Sequence, residues 1–129
     1  MSLVYLDSSA LVKLAVREPE SAALRLFLRG KKELIASSLA RTEVGRALLP
    51  FGEQVCKRGR EVLERIELVR VSDRVLTLAG ELTPPDLRSL DAIHLATAQI
   101  LLRVKTVVTY DGRLAKAARD MGWNVVAPS

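Results

Sequence analysis

The sequence predicts a three-layer α/β/α fold, with a central parallel sheet of about five strands and helices on both faces. Three observations predict it. Short apolar runs alternate with stretches of helical period from one end of the chain to the other. The 129 residues fit one domain, 1–129, large enough for a core without disulfide support. Hydrophobic residues make up 49% and charged residues 27%, the balance of a globular protein rather than a disordered one.

Leu3–Leu6 is an apolar run ending at Asp7 and reads as a buried strand. Ser8 and Ser9 are good N-caps for a helix through Ala15. Pro19 interrupts, and Ser21–Leu28 is a second amphipathic helix closed by Gly30. Leu34–Ala36 is the next strand, after which Ser37 and Ser38 are expected to cap a helix that Pro50 stops. Gln54–Ile66 reads as a longer helix with a charged outer face, and Glu67–Val71 as a third strand. Ser72 starts a helix that Thr83-Pro84-Pro85 breaks. Ser89 is expected to cap a helix over Leu90–Leu102. Thr106–Thr109, Arg113–Met121 and Asn124–Val126 then complete the alternation as strand, helix and strand. Right-handed crossovers in such a sheet bring non-sequential strands together at a switch point, where ligands bind.

Composition narrows the function classes. The net charge is +5 and the isoelectric point is near 9.8, which favours anionic partners, nucleic acid first. Cys56 is the one cysteine and His94 the one histidine, which excludes the common structural zinc sites. A single thiol suits a reducing compartment, and the first residues lack the pattern of a signal peptide, so a cytoplasmic location is expected. No apolar run approaches a membrane span. Aromatics are only 4% of the chain, too few for an extended base-stacking platform.

Four carboxylates carry the chemical signal. Glu43 lies one turn from Leu39 and from Ala47, on or beside the apolar stripe of its helix. An ionised carboxylate aimed inward needs a partner, either a salt bridge such as one to Arg46 or a metal. Asp7 and Asp111 follow the first and fourth strands closely, near the carboxyl ends of a parallel sheet, although aspartates there also serve as turn and cap residues. Asp91 falls in the first turn of its helix, where the helix dipole alone would favour it. It nonetheless shares a face with His94, Leu95 and Ala98. Several carboxylates in one small volume repel one another unless divalent cations neutralise them, and hard oxygen donors favour Mg²⁺ or Mn²⁺. Such a metal generates a nucleophile from water and stabilises charge on a phosphodiester. Basic residues around it would hold the remaining phosphates.

Four stretches resemble the PIN domains, especially the VapC-like toxins. Val4-Tyr5-Leu6-Asp7-Ser8-Ser9 resembles the family's opening strand and first acid. Ser37-Ser38-Leu39-Ala40-Arg41-Thr42-Glu43-Val44 resembles the helix with its glutamate. Leu90-Asp91-Ala92-Ile93-His94-Leu95-Ala96 is similar to the third motif, and Val107-Val108-Thr109-Tyr110-Asp111-Gly112-Arg113 to the fourth. The resemblance implies strand order 3-2-1-4-5, with the ends of the first and fourth strands side by side. It further implies a metal-dependent endoribonuclease acting on RNA, with Asp7, Glu43, Asp91 and Asp111 as catalytic and metal-binding acids around Mg²⁺ or Mn²⁺. It implies a VapB-like antitoxin partner and a homodimer as well. A catalytically silent PIN-like module that binds RNA or protein is the alternative; retention of all four acids argues against it.

Ser8, Ser9 and Thr109 stand where they would hydrogen-bond water at the metal or a substrate phosphate, though capping alone explains the serines. His94 reads as a packed supporting group rather than a general acid. Lys57-Arg58-Gly59-Arg60 and Gly30-Lys31-Lys32 are basic clusters, either solvated surface or phosphate contacts. Trp123 is expected to pack.

Overall fold

The computed structural model describes residues 3–31 and 33–129; Lys32 of the second basic cluster lies outside the described residues, as do Met1 and Ser2. The strands are β1 (Leu3–Leu6), β2 (Leu34–Ser37), β3 (Glu67–Val69), β4 (Val104–Val108) and β5 (Asn124–Val126). The helices are α1 (Ser8–Ala15), α2 (Ser21–Leu28), α3 (Ala40–Leu48), α4 (Glu53–Glu64), α5 (Asp73–Glu81), α6 (Ser89–Ile100) and α7 (Gly112–Asp120), with a single 3₁₀ turn over Leu49–Phe51. All strand pairs are parallel, and the order is β3-β2-β1-β4-β5, the order that the family resemblance implies.

The sheet is buried on both sides, which is why its strands read as unbroken apolar runs. Side chains alternate across β1. Val4 and Leu6 join a core with Leu11, Leu24, Val44, Leu48 and Leu63, from α1, α2, α3 and α4. Leu3 and Tyr5 join the opposite core with Leu95, Ala98, Leu114 and Ala118, from α6 and α7. Helix α5 packs on α6. The chain runs outward from β1 to β3 under one layer of helices. It then crosses back to β4 under the other layer, as right-handed connections require.

That reversal sets the functional end of the sheet. β1 and β4 are neighbours although about a hundred residues separate them, with Leu6 paired to Val108. The Asp7 N–H continues the ladder by donating to the Val108 carbonyl at 3.2 Å. The residues that follow the two strands, Asp7–Ser9 and Thr109–Asp111, therefore emerge together at the switch point.

Several helix starts differ from the sequence reading. Asp7, not Ser8 or Ser9, is the N-cap of α1, and its carboxylate accepts from the Ala10 N–H. Ser37 ends β2 rather than capping α3, and Ser38 Oγ accepts from the Val71 N–H, joining β2's end to the segment after β3. Arg88 rather than Ser89 is the N-cap position of α6. Ser8, Ser9 and Ser38 instead bond partners that only the folded sheet brings near, while Ser37 accepts from the Leu39 N–H just beyond its own strand. Ser72 caps α5 as expected.

Candidate active site

Asp7 is the best-fixed acid. It is 4% exposed, at the junction of β1 and α1. Oδ1 accepts from Ser9 Oγ at 2.6 Å and from the Ala10 N–H at 3.0 Å. Oδ2 accepts from Thr109 Oγ1 at 2.6 Å. Burial pushes its carboxyl above the ordinary range, against the opposing pull of the hydrogen bonds from Ser9, Thr109 and Ala10. The ionised form is thus held in place by geometry but starved of solvent.

Thr109, 1% exposed, ties the first and fourth motifs together. Its hydroxyl donates to Asp7 and accepts the Asp111 N–H at 3.0 Å. Asp111 is in turn the N-cap of α7, accepting from the Arg113 and Leu114 N–H groups through Oδ1. This leaves Asp111 Oδ2 for a cation.

Glu43 projects from α3 into the same region. Its Oε1 accepts from Ser8 Oγ at 2.6 Å and from His94 Nε2 at 2.7 Å. Arg46, the salt-bridge partner open from the sequence, is not its partner. Burial raises the Glu43 carboxyl, but the hydrogen bonds from His94 and Ser8 outweigh it, and the net shift is downward. Glu43 is therefore a stable anion at neutral pH.

His94 is 4% exposed, and both of its ring nitrogens are engaged. Nε2 faces the Glu43 carboxylate, and Nδ1 lies 2.8 Å from the Tyr5 hydroxyl. A carboxylate only accepts, so Nε2 carries the proton; in the neutral ring, Nδ1 then accepts from Tyr5. Burial, and the Asp7 carboxylate next, raise the Tyr5 hydroxyl well above its ordinary range, keeping it a neutral donor. Tyr5, His94 and Glu43 form a chain that fixes the glutamate from behind. The lone histidine is the packed supporting group expected, with an orientation that no local pattern could reveal.

Asp91 is 8% exposed and points inward from the first turn of α6. Its Oδ2 accepts from Arg88 Nε at 3.2 Å, and Arg88 Nη2 donates to Asp111 Oδ2 at the same distance. Arg88 thus bridges two of the four acids. It is the functional-end residue that the sequence reading missed; its only signal is a position three residues before Asp91, on the same side of the helix start.

Hydrogen bonds link Asp7, Asp111 and Asp91 through Ser9, Thr109 and Arg88 at the carboxyl end of the sheet, while Ser8 and His94 hold Glu43 in a second group beside them, joined to the first through the Asp7–Ser8 backbone. Among the described residues, no three acidic, histidine or cysteine side chains stand together as a ready-made metal site. The chemistry of the donor set nonetheless fits a hard divalent ion. The available donors are carboxylate oxygens, the donor class that Mg²⁺ and Mn²⁺ prefer. A cation, Arg88, is already drawn between Asp91 and Asp111. Ser8 and Ser9 orient acids here rather than capping α1.

The remaining basic residues are partly structural. Arg58 donates to the Ala15 carbonyl at the end of α1, and Arg60 makes an exposed pair with Glu53. Trp123 packs at the edge of the second core. No helix among the described residues is long and apolar enough to cross a membrane.

Comparison with known proteins agrees with this geometry. The PIN domain family model matches residues 4–120. The chain is 56% identical to Ribonuclease VapC46 of Mycobacterium tuberculosis over 130 aligned positions, covering the whole of both chains. Among solved structures, M. tuberculosis VapC20, a sarcin-ricin loop cleaving toxin, superposes with a TM-score of 0.78 at 13% identity, over 97% of this chain and 99% of its own. A chain of a toxin–antitoxin complex from Klebsiella pneumoniae superposes with a TM-score of 0.74 at 22% identity, over 98% of each. The fold, the order of the four acidic motifs and the full-length identity lead to one conclusion: this chain belongs to the PIN domain family, among the VapC ribonucleases.

Proposed function

We infer that the protein is an endoribonuclease that hydrolyses RNA phosphodiester bonds with Mg²⁺ or Mn²⁺, and that it is the toxin of a VapBC-like toxin–antitoxin pair. One observation carries this reading. Asp7, Asp91 and Asp111 share one hydrogen-bonded network at the switch point, with Glu43 held beside it by Ser8 and His94, in a chain 56% identical to a ribonuclease along its full length.

The four acids would hold the ion, with Asp7 and Asp91 as the most direct ligands. A divalent ion bound there supplies a nucleophile from water at neutral pH and offsets charge on the phosphodiester. The protein's own residues do the positioning. Ser9, Thr109 and the Ala10 N–H lock the Asp7 carboxylate in one rotamer. Ser8 and the His94 ring do the same for Glu43. Such supporting bonds fix both the direction and the ionisation of the acids that they hold. Arg88 neutralises Asp91 and Asp111 in this structure, and with an ion held by those acids it would be free to meet a phosphate.

The antitoxin would be VapB-like, as the toxin–antitoxin complex among the structural neighbours supports. The protein would work in the cytoplasm as a homodimer. Its small size supports the dimer, as do large apolar side chains left at the surface, such as Leu76 on α5 and Leu90 at the start of α6.

The test is cleavage of structured and unstructured RNA by the purified chain. Cleavage is expected with Mg²⁺ or Mn²⁺, should stop in EDTA and should return when the ion is restored. Equal cleavage in EDTA would contradict the metal, and an intact substrate under every condition would contradict the nuclease.

A further inference from the structure

A groove of about 630 Å³ runs between the segment that leads into α6 and the outer face of α7. It opens on Asp91 and Arg88 at one end, so it is continuous with the acidic site. Pro84, Leu87 and Ala117 give it an apolar lining, and Arg113 and Lys116, with Asp86 and Asp120, its charged lining. We propose that this groove is a subsite for single-stranded RNA, seating the nucleotide next to the reacting phosphate, with its base on the apolar lining and its phosphate on Arg113 and Lys116. The proposal rests on the ribonuclease reading and adds where the substrate strand leaves the acids.

Three features support this occupant. The first is direction. Asp111 belongs to the acidic network and caps α7, so the helix starts at the acids and runs along the groove. Lys116 lies five residues further on, about 7.5 Å along the axis at 1.5 Å per residue, roughly one extended nucleotide away. The second is charge. Arg113 and Lys116 are three residues apart and so share a helix face. Arg113 has no side-chain partner among the described residues. Lys116 makes only an exposed pair with Asp120 at 3.0 Å, which a phosphate can replace at little cost. Of the three acids that line the groove, Asp91 is already engaged by Arg88 and Asp120 pairs with Lys116, while Asp86 stands beside the apolar part. The third is size. The volume falls within the range of about 300–1,000 Å³ typical of small-ligand pockets, which suits a base and its sugar better than a folded partner. A strand whose reacting phosphate lies at the acids has to place a neighbouring nucleotide somewhere, and this groove is continuous with them.

The test measures binding rather than turnover. A fluorescent single-stranded 12-mer RNA is titrated in Mg²⁺ into the Asp7→Asn protein, and into the same protein carrying Arg113→Glu, Lys116→Ala or Arg119→Glu. Arg119 is on α7 but outside the groove, so it controls for net charge. Arg113→Glu should weaken binding about tenfold, and each of the two groove variants should lower the slope of log affinity against log salt by about 0.7, as expected for one lost phosphate contact on a single strand. Arg119→Glu should leave the slope unchanged. Equal losses in Arg113→Glu and Arg119→Glu would overturn the proposal, and so would no loss in either groove variant. A groove that binds an acidic peptide but no RNA would overturn it as well. A 12-mer cut by the Asp7→Asn protein would instead expose an error in the role of Asp7, visible on a gel independently of the affinities.

Discussion

Asp7→Asn should lower RNA cleavage by two orders of magnitude or more, roughly 3 kcal/mol of barrier, and leave the protein folded. The substitution keeps the size and one oxygen of the side chain. The amide oxygen can still accept from the Ala10 N–H and Ser9 Oγ, so the cap of α1 survives. The charge that would face a metal is gone. Stability should move the other way. Burial raises the Asp7 carboxyl above its ordinary value of 3.8, so the folded state favours the protonated acid. This favourable contribution is complete below the ordinary value and is lost as the pH rises through the folded value. At neutral pH without metal, wild-type Asp7 therefore carries a cost that asparagine lacks. Urea unfolding in EDTA should find Asp7→Asn at least as stable as wild type at pH 7, with the difference disappearing near pH 3. A variant that cleaves at the wild-type rate would place the chemistry elsewhere.

Thr109→Val should cost about 3 kcal/mol of stability and most of the activity. The shapes are nearly equal, but the hydroxyl is buried and doubly used, donating to Asp7 and accepting from the Asp111 N–H. Valine leaves both groups without that partner, the Asp7 carboxylate being only 4% exposed, and each buried unsatisfied group costs about 1–3 kcal/mol. The swap also frees the two acids from each other, so activity should fall further than stability accounts for. Thr109→Ser, which keeps the hydroxyl, should recover most of both. A lower urea midpoint for Thr109→Val, with an unchanged slope, checks the first part; cleavage by the serine variant checks the second.

The layers of this fold were legible because they depend on local pattern. Val4 and Leu6 face one core while Leu3 and Tyr5 face the other, and a fully apolar strand between helical stretches has no other economical place than a buried parallel sheet. The four acids were legible for the same reason: each sits at a strand end or a helix start that the pattern marks. The wiring between them was not. Ser8 and Glu43 are 35 residues apart, Tyr5 and His94 are 89 apart, and Thr109 and Asp7 are 102 apart. No periodicity carries such pairs. The serine caps failed on the same ground. Ser8, Ser9, Ser37 and Ser38 have good capping chemistry, yet long-range partners engage Ser8, Ser9 and Ser38, and Ser37 accepts from the Leu39 N–H at the end of its own strand. Arg88 escaped notice because a single arginine before a helix is unremarkable until the fold brings Asp111 to its other end.

Whether these four acids hold one divalent-ion site is read directly by calorimetric titration of Mn²⁺ into the wild-type protein and into Asp7→Asn and Asp91→Asn. Saturable binding is predicted for the wild type, with affinity reduced at least about tenfold in each variant, as for loss of a direct charged ligand. Identical isotherms for all three proteins would contradict a shared site.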